Sequence, residues 1–468
     1  MNENKVKPFG FRDKLGYLFG DFGNDFTFLL SSSFLLKFYT DVMGVNAAIV
    51  GVVMMVARFV DAFTDVAMGR ICDMSKPRKS GKFKPWILRM CLPVAVSSFL
   101  IYQSAIAQYS LTVKVIWLVV TYILWGSFFY TSVNIPYGSM ASAISPNAED
   151  RQSLSTYRTM GGMLAGAVVT VIIPLVAYDT FTENGAEKVV LNGQRFTAVA
   201  GIFSVLSVIC YILCYALITE RVRTPVNAER QEKHSTVGML KAAIKNRALI
   251  SIIVASILML LAQLTLQGMS GYVFPNFYKS AAAQSASTIV MIAGMSVAAV
   301  AAKPLTRKFG KAEISVVSNL FAGAVSVALF IIRPQNVWVY IAFQALSWLG
   351  LGIFSMVNWA LITDVIDYSE LKNGVREDGS VYALYSFARK LGQAAASGLT
   401  GAFLSMIGYT QETAFDTDVV NGIYDISTII PAAGFILLGL VLWFWYPLHK
   451  KQVDENIKKL KEKRNENL

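Results

Sequence analysis

Residues 47–69 read AAIVGVVMMVARFVDAFTDVAMG, an apolar stretch long enough to cross a lipid bilayer as one helix. Two aspartates, Asp61 and Asp65, lie in it one helical turn apart, and Arg58 lies one turn before them. An ionised carboxylate at the centre of a membrane helix costs about 2.5–3.5 kcal/mol, so a bound Na⁺ or a proton is expected to neutralise the pair. The stretch therefore predicts ion-coupled transport, with a structural ion pair to Arg58 as the alternative.

The rest of the chain is similarly apolar. Of its 468 residues, 54% are hydrophobic and 15% are charged, whereas soluble proteins carry about 25% charged residues. The mean hydropathy is +0.49, and the apolar residues occur in long blocks. We therefore predict an all-α membrane protein with twelve transmembrane helices, near residues 15–40, 47–70, 86–107, 113–143, 154–177, 195–217, 249–278, 284–302, 313–332, 337–367, 381–408 and 423–446.

Lysine and arginine predict the orientation, because they concentrate in cytoplasmic loops. They crowd the loops that follow the second, sixth and eighth predicted spans, whereas residues 41–46 contain none. With an even number of spans, both termini are expected in the cytoplasm and the protein in a bacterial inner membrane. The net charge of +12 is then a topology signal, and nucleic-acid binding is not expected because the charges are dispersed over separate loops.

Histidine and cysteine limit the possible chemistry. The only histidines, His234 and His449, lie in polar segments, which excludes a histidine proton relay or a histidine-bound metal inside the membrane. We therefore expect no enzyme activity and no cofactor. The four cysteines lie in or beside predicted spans and are expected to be small buried side chains: Cys72, Cys91, Cys210 and Cys214.

A long polar stretch divides the chain into two halves of six spans each. We predict four segments: an N-terminal bundle over 1–218, a central loop over 219–247, a C-terminal bundle over 248–447 and a basic tail over 448–468. The plan is similar to that of major facilitator transporters, in which two bundles surround a cavity. Gly69-x-x-x-Asp73, followed by Arg78 and Lys79, resembles the loop motif of that superfamily. The tail is expected to be solvated, with a short surface helix as the alternative.

Five segments occur in the order typical of one transporter family: Phe38–Val42 (FYTDV), Ala57–Asp65 (ARFVDAFTD), Gly81–Ile87 (GKFKPWI), Thr121–Gly126 (TYILWG) and Asp364–Tyr368 (DVIDY). They resemble the glycoside–pentoside–hexuronide:cation symporters, a branch of the major facilitator superfamily that includes the melibiose permease. Asn134–Met140, and Gly374–Gly379 with Tyr385–Ala394, are closer to bacterial glucuronide carriers. The resemblance implies Na⁺- or H⁺-driven uptake of a sugar or glycoside by a protein that functions as a monomer.

For the cation site, the residues and the resemblance indicate the same helix. Asp61 and Asp65 share one helix face, so their oxygens can converge on one ion. The resemblance adds Thr64, and Thr131 from the fourth span, as neutral oxygen ligands. Na⁺ and H⁺ both remain open, because two crowded carboxylates raise one another's pKa and can also carry a proton.

For the substrate, the resemblance implies six positions: Asp25, Asn134, Arg158, Tyr385, Ser386 and Lys390. Carboxylate, amide and basic side chains are suited to binding sugar hydroxyls. Asn134 stands where the melibiose permease has an aspartate, Gly138 and Ser355 stand where it has tryptophans, and Arg389 adds a positive charge beside Lys390. These departures favour a hexuronide such as a glucuronide. A neutral glycoside or pentoside, or a lipid or lysolipid, is the alternative.

Other charged residues are expected to control gating. Asp364 and Asp367 lie at the cytoplasmic end of the tenth span, where we expect them to pair with basic loop residues; solvated helix-end charges are the alternative. Arg58 is assigned to the same charge network. Arg389 is expected to pair with a carboxylate elsewhere in its bundle. Asp21, one turn before Asp25, belongs either to the substrate pocket or to this network.

Overall fold

A computed structural model describes residues 8–78, 80–183, 185–222, 246–373 and 378–465, and Lys79, most of the predicted central loop and residues 374–377 therefore lie outside it. The described part contains twelve long helices, in the predicted order: α1 Phe11–Asp41, α2 Ala47–Met74, α3 Lys84–Ile101, α4 Leu111–Ile144, α5 Ala148–Val176, α6 Gly193–Leu217, α7 Arg247–Tyr272, α8 Ala281–Phe309, α9 Lys311–Ile332, α10 Val337–Asn373, α11 Asp378–Met406 and α12 Thr417–Leu440. A thirteenth helix, α13, follows at Lys450–Asn465.

Ten of these helices are long and apolar enough to cross a membrane, counting only the described residues. The other two long helices, α1 and α11, have 31 and 29 residues and are therefore long enough but more polar. Polar side chains in mid-helix explain the difference, since α1 carries Asp21, Asn24 and Asp25, and α11 carries Arg389 and Lys390. The two helices that least resemble membrane spans are thus the ones with most of the predicted substrate residues.

The chain forms two compact units. The first comprises Met1–Gln231 with Gly408–Ala414, and the second comprises Glu232–Ile407 with Phe415–Leu468. In unit 1, helix α1 packs along both α5 and α6. In unit 2, α9 packs against α10 and α12, while α7 packs against α11 and α12. The division between the units falls within the predicted central loop.

Glycines let helices in both units approach closely. A Cβ atom on Gly161 of α5 would lie 2.5 Å from the carbonyl oxygen of Leu18 in α1, and one on Gly350 of α10 would lie 2.4 Å from that of Ser318 in α9. No real Cβ atom tolerates such contacts, so these crossings require glycine. Close packing of this kind replaces the hydrophobic effect as the source of helix association in a bilayer.

A β-hairpin that the sequence analysis did not predict connects α5 and α6. Its strands, β1 (Tyr178–Glu183) and β2 (Ala186–Leu191), pair antiparallel. The signal was present in the sequence, because an Asn-Gly pair at 184–185 stands between two runs rich in threonine, valine and aromatic residues. Gly185 has a φ of +76°, the left-handed conformation that this turn needs. A search for apolar spans does not register so short and polar an element.

The carboxylate of Glu220 organises the loop before α3. It accepts hydrogen bonds from the backbone N–H groups of Lys82, Phe83 and Lys84, at 2.6, 3.0 and 2.7 Å. These are orphan donors at a helix N-terminus, where a negative charge is also favoured by the helix dipole. Gly81, at φ +124°, leaves room for the carboxylate, since a Cβ there would lie 2.4 Å from it. The GKFKPWI segment therefore has a structural role.

The C-terminal tail packs against unit 2, and the expectation of a solvated tail is wrong for the described residues. Leu460 of α13 is only 4% exposed. Val453 contacts the hydrophobic core of the unit, and the backbone N–H of Lys450 donates to Glu313 at 2.7 Å. An apolar stripe among the lysines thus anchors the helix. The four cysteines are buried and unpaired, as expected.

Candidate functional site

Helices α2 and α4 bring two carboxylates and two hydroxyls together in unit 1. The hydroxyl of Ser127 donates to Asp61 Oδ1 at 2.6 Å, and the hydroxyl of Thr131 donates to Asp65 Oδ1 at 2.8 Å. The two carboxylates are four residues apart on α2, and the two hydroxyls are four residues apart on α4. The first hydroxyl therefore meets the first carboxylate and the second meets the second. The resulting set of oxygen ligands is the hard-donor chemistry that suits an alkali cation or a proton.

Arg58 lies at one side of this carboxylate pair. Its Nη1 atom is 3.4 Å from Asp61 Oδ2, and its guanidinium stands 4.9 Å from the ring centre of Phe28. At 3.4 Å this contact is long for a hydrogen-bonded ion pair, and one guanidinium lies beside two carboxylates. The contacts thus agree with both interpretations of the sequence, an ion pair and a cation site.

Thr64 has a different setting from Thr131. Its hydroxyl lies 3.3 Å from the carbonyl oxygen of Val60 and 3.2 Å from that of Asp61, so it bonds to the backbone of its own helix. Ser127, which the sequence analysis missed, is the hydroxyl that reaches Asp61. The signal for it was its spacing from Thr131, which repeats the spacing of Asp61 and Asp65 on the facing helix.

A π-helical segment, Leu124–Tyr130, places Ser127 in this site. Such segments insert an extra residue into a helical turn and often occur at functional sites. Gly126, in the same segment, would hold a Cβ atom 3.5 Å from Asp61 Oδ1, so the wider turn brings the α4 backbone close to the carboxylate. The local irregularity of α4 therefore coincides with the candidate cation site.

A second charged cluster joins α1 to α5. Arg158 Nε donates to Asp21 Oδ1 at 3.0 Å, and its guanidinium lies 5.2 Å from the ring centre of Tyr137. Tyr137 stacks on Tyr17, and each hydroxyl donates to the other residue's backbone carbonyl. Asp21 is therefore the neutralising partner of Arg158 and belongs to this cluster. Sequence reasoning left its place open.

Asp25 and two glycines complete the cluster. Among the described residues, none donates a hydrogen bond to Asp25. A Cβ atom on Gly162 would lie 2.5 Å from Asp25 Oδ2 and 2.9 Å from Asp21 Oδ2, and one on Gly138 would lie 3.6 Å from Arg158 Nη1. Glycine at these positions leaves space for the charged groups. Asn134, another predicted substrate residue, is half-buried on α4, four residues before Gly138.

In unit 2, Arg389 stands over aromatic rings. Its guanidinium lies 5.5 Å from the ring centre of Trp359 on α10 and 5.9 Å from that of Tyr385. Tyr385 is fully buried, accepts from the Asn358 amide and shares a hydrogen bond of 2.8 Å with Ser256. Its role as a substrate residue remains a prediction. Trp359, 42% exposed, was missed by sequence reasoning, although it follows Ser355 by one turn.

The predicted gating residues lie in separate settings. Asp364 of α10 is 6% exposed and pairs at 2.5 Å with Lys311, a basic residue at the start of α9. The gating role of Asp364 stays a prediction. Arg58 belongs to the cation site instead, and Arg389 has no carboxylate as an ion-pair partner within the described residues. Ser386 and Lys390 are half-buried on α11.

The sequence profile of the family described as MFS/sugar transport protein matches residues 16–450. The chain belongs to this family. It is 31% identical to the uncharacterized symporter YjmB of Bacillus subtilis (strain 168), over 98% of this chain and 96% of that protein. It is 32% identical to the isoprimeverose transporter of Lactiplantibacillus pentosus (92% and 88%) and 28% identical to a glucuronide carrier protein homolog of Escherichia coli K12 (95% and 94%).

The fold of solved transporters is also similar. A D-xylose–proton symporter has a TM-score of 0.62 at 14% identity, over 93% of this chain and 97% of that one. The predicted all-α major facilitator fold and the glycoside–pentoside–hexuronide type are thus confirmed. The protein is a multi-pass membrane transporter for a sugar or glycoside, and it is not an enzyme.

Proposed function

We propose that this transporter is a symporter for an acidic sugar, a hexuronide such as a glucuronide, driven by a Na⁺ or H⁺ gradient. In the proposed topology both termini face the cytoplasm of a bacterium, and the protein resides in its inner membrane. Substrate binding and cation binding are assigned to separate sets of side chains.

The setting of Arg389 carries the proposal for the substrate. A guanidinium in a membrane-embedded helix is costly unless an anion compensates it, and Arg389 has no ion-pair partner among the described residues. Arg158, in contrast, is neutralised by Asp21 at 3.0 Å. A substrate carboxylate would supply the missing charge at Arg389, and the planar guanidinium offers it two parallel hydrogen bonds. We therefore assign the carboxylate to Arg389 in place of a gating role.

Each unit also offers groups that can bind an uncharged sugar. The exposed ring of Trp359 provides an apolar face for the C–H groups of a pyranose. In unit 1, Asp25 and Asn134 have side-chain oxygens that accept no hydrogen bond from any described residue, so each of them can bind a hydroxyl group. These groups do not depend on the charge of the substrate. They favour a second candidate substrate, a neutral glycoside or pentoside. One relative is named as a transporter of such a compound, isoprimeverose.

Coupling is assigned to Asp61 and Asp65. A cation or proton at this pair would be held by the carboxylates and by the lone pairs of the Ser127 and Thr131 hydroxyls. The link to the substrate side runs through α1 and α4, since Arg58 lies over Phe28 and the Phe28 ring stacks on Tyr130 at 5.8 Å. Binding of either ligand then favours binding of the other by thermodynamic linkage. A half-loaded carrier would move unpaired charge through the membrane and is disfavoured.

Uptake into proteoliposomes tests the proposal. A labelled glucuronide and a neutral glycoside are compared under an imposed Na⁺ or pH gradient, with Arg389→Gln and Arg389→Lys as variants. Loss of a hydrogen-bonded charge costs about 1.5–3 kcal/mol, so Arg389→Gln is expected to raise the KM for the glucuronide roughly 10- to 150-fold. Arg389→Lys retains part of the affinity, and uptake of the neutral glycoside is unchanged. Accumulation of the neutral glycoside alone would agree with symport but contradict the assignment of a hexuronide as the substrate.

A further inference from the structure

Unit 2 contains a cavity that the transport site does not use. It has a volume of about 490 Å³ and lies where the end of α8 meets the starts of α9 and α13, beside α10. Four cations and two carboxylates line it: Lys303, Arg307, Lys311, Lys450, Asp364 and Asp454. The cavity therefore carries an excess of positive charge.

Only two of the four cations are accounted for by the fold. Lys311 pairs with Asp364 at 2.5 Å. The ammonium of Lys450 donates to the carbonyl oxygen of Lys308 at 2.8 Å, at the C-terminal end of α8. Lys303 and Arg307 form no ion pair or side-chain hydrogen bond with any residue that the structure describes.

The unpartnered cations also repel one another. Lys303 and Arg307 are one turn apart on α8, a spacing at which like charges destabilise a helix. Both line the same cavity. An anion between them would remove the repulsion and complete the charge balance of the cavity.

Part of the cavity lining is apolar. Ala299, Ala302, Met356, Val357 and Ala360 form it. The apolar surface continues along α8, where Val300 is 80% exposed, and Met356 itself is 46% exposed. A ligand with an anionic group and an adjoining apolar portion would match both the basic and the apolar part of the lining.

We propose that this cavity binds a phosphate group, held by Lys303 and Arg307 with Lys311 at its edge, which belongs either to an anionic lipid headgroup or to a small soluble phosphate. The guanidinium fork of Arg307 matches two phosphate oxygens, and lysine adds a point charge. This site is independent of the sugar and of the coupling ion.

The first arm of the test measures lipid binding. The full-length protein, purified in detergent, is titrated with phosphatidylglycerol or phosphatidylethanolamine and examined by native mass spectrometry. We expect the wild type to retain phosphatidylglycerol preferentially and Lys303→Gln/Arg307→Gln to lose at least tenfold in its apparent affinity. The matched control, Lys458→Gln/Lys459→Gln, removes two equally exposed charges from α13 outside the cavity and is expected to bind as the wild type does.

The second arm uses inorganic phosphate, with chloride at equal ionic strength as the reference, and follows the thermal unfolding of the same variants. Stabilisation by phosphate that is lost only in Lys303→Gln/Arg307→Gln identifies a soluble ligand, and an effect confined to the lipid arm identifies a headgroup. Asp454→Asn removes a negative charge from the cavity wall and is expected to bind phosphate more tightly. Because a misfolded protein would not gain affinity, this variant distinguishes loss of the site from misfolding. No preferential binding in either arm, or binding that survives the double substitution, overturns the proposal.

Discussion

Thr64 and Thr131 have the same side chain but different partners. The Thr131 hydroxyl donates to Asp65, and the Thr64 hydroxyl bonds to carbonyl groups of its own helix. The family resemblance assigned both to the cation site, because a resemblance does not reveal where a hydroxyl points. At this scale the structure separates a side chain that can hold an ion from one that satisfies its own backbone.

Replacing each threonine by valine tests this distinction. Valine keeps the shape and removes the hydroxyl, and the net contribution of one hydrogen bond is about 0.5–1.5 kcal/mol. Thr131→Val is therefore expected to raise the cation concentration for half-maximal uptake roughly 2- to 12-fold. Thr64→Val serves as the matched control and is expected to stay near the wild-type value. Equal effects of the two substitutions would contradict the assignment of Thr131.

Gly162 allows a second test at the level of single residues. In Gly162→Ala the new methyl group meets the Asp25 and Asp21 carboxylates at 2.5 and 2.9 Å, so one or both must move. Alanine is otherwise favoured over glycine within a helix, by about 0.5–1 kcal/mol. We expect a weaker affinity for substrate in binding or uptake assays, with the protein still folded. Gly166→Ala, which meets only a methyl group of Leu29 at 3.2 Å, is the control and should retain its affinity.

Among the elements, α13 shows how a short polar helix is held to a membrane protein. Its sequence is mostly lysine, glutamate and asparagine, which predicts solvation. Two small features determine its position instead, the buried Leu460 and the hydrogen bond between the Lys450 backbone and Glu313. The helix lines one side of the basic cavity at the end of α8, so its attachment also bears on the proposed phosphate site.

Truncation of Leu460 is expected to detach this helix. Leucine-to-alanine substitution at a buried site costs about 2–5 kcal/mol, with smaller values where the structure relaxes. Thermal unfolding of unit 2 in detergent should therefore begin at a lower temperature in Leu460→Ala. Ile457→Ala, one turn earlier and 40% exposed, removes a similar side chain and should have little effect. A similar loss in both variants would mean that α13 packs differently.

The sequence predicted the long helices well and the small elements poorly. A run of some twenty apolar residues has one stable solution in a bilayer, so the twelve helices could be placed to within a few residues at most ends. The hairpin β1–β2 and helix α13 depend on a turn and on two or three tertiary contacts. In the site, Asp61 and Asp65 were evident because charge is rare in apolar surroundings. Ser127 and Trp359 were not, because hydroxyls and aromatic rings are common in membrane helices.

For the whole molecule, the number of membrane crossings determines the side on which each segment lies. Within the described residues, ten helices are long and apolar enough to cross a membrane, and α1 and α11 are more polar. If both cross, the two termini share a side, and the positive-inside rule makes that side the cytoplasm. If only one of them crossed, the termini would lie on opposite sides.

Reporter fusions distinguish these topologies. Alkaline phosphatase, which is active only outside the cytoplasm, is fused after Leu468 or inserted at Gly185 in the β1–β2 turn. We expect the first fusion to be inactive and the second active, and a fluorescent protein after Leu468 to fluoresce. Phosphatase activity at both sites would show that an even number of crossings separates Gly185 from the C-terminus, and α11 would then need a different placement.

The burial of the native cysteines has a practical consequence for observing such a molecule at work. Cys72, Cys91, Cys210 and Cys214 are 1%, 5%, 7% and 0% exposed. Maleimide dyes should react with them slowly, so the natural chain can serve as a parent with little background labelling. A single new thiol at an exposed position would then carry a fluorophore, and single-molecule recordings of transport could begin without first replacing any of the four.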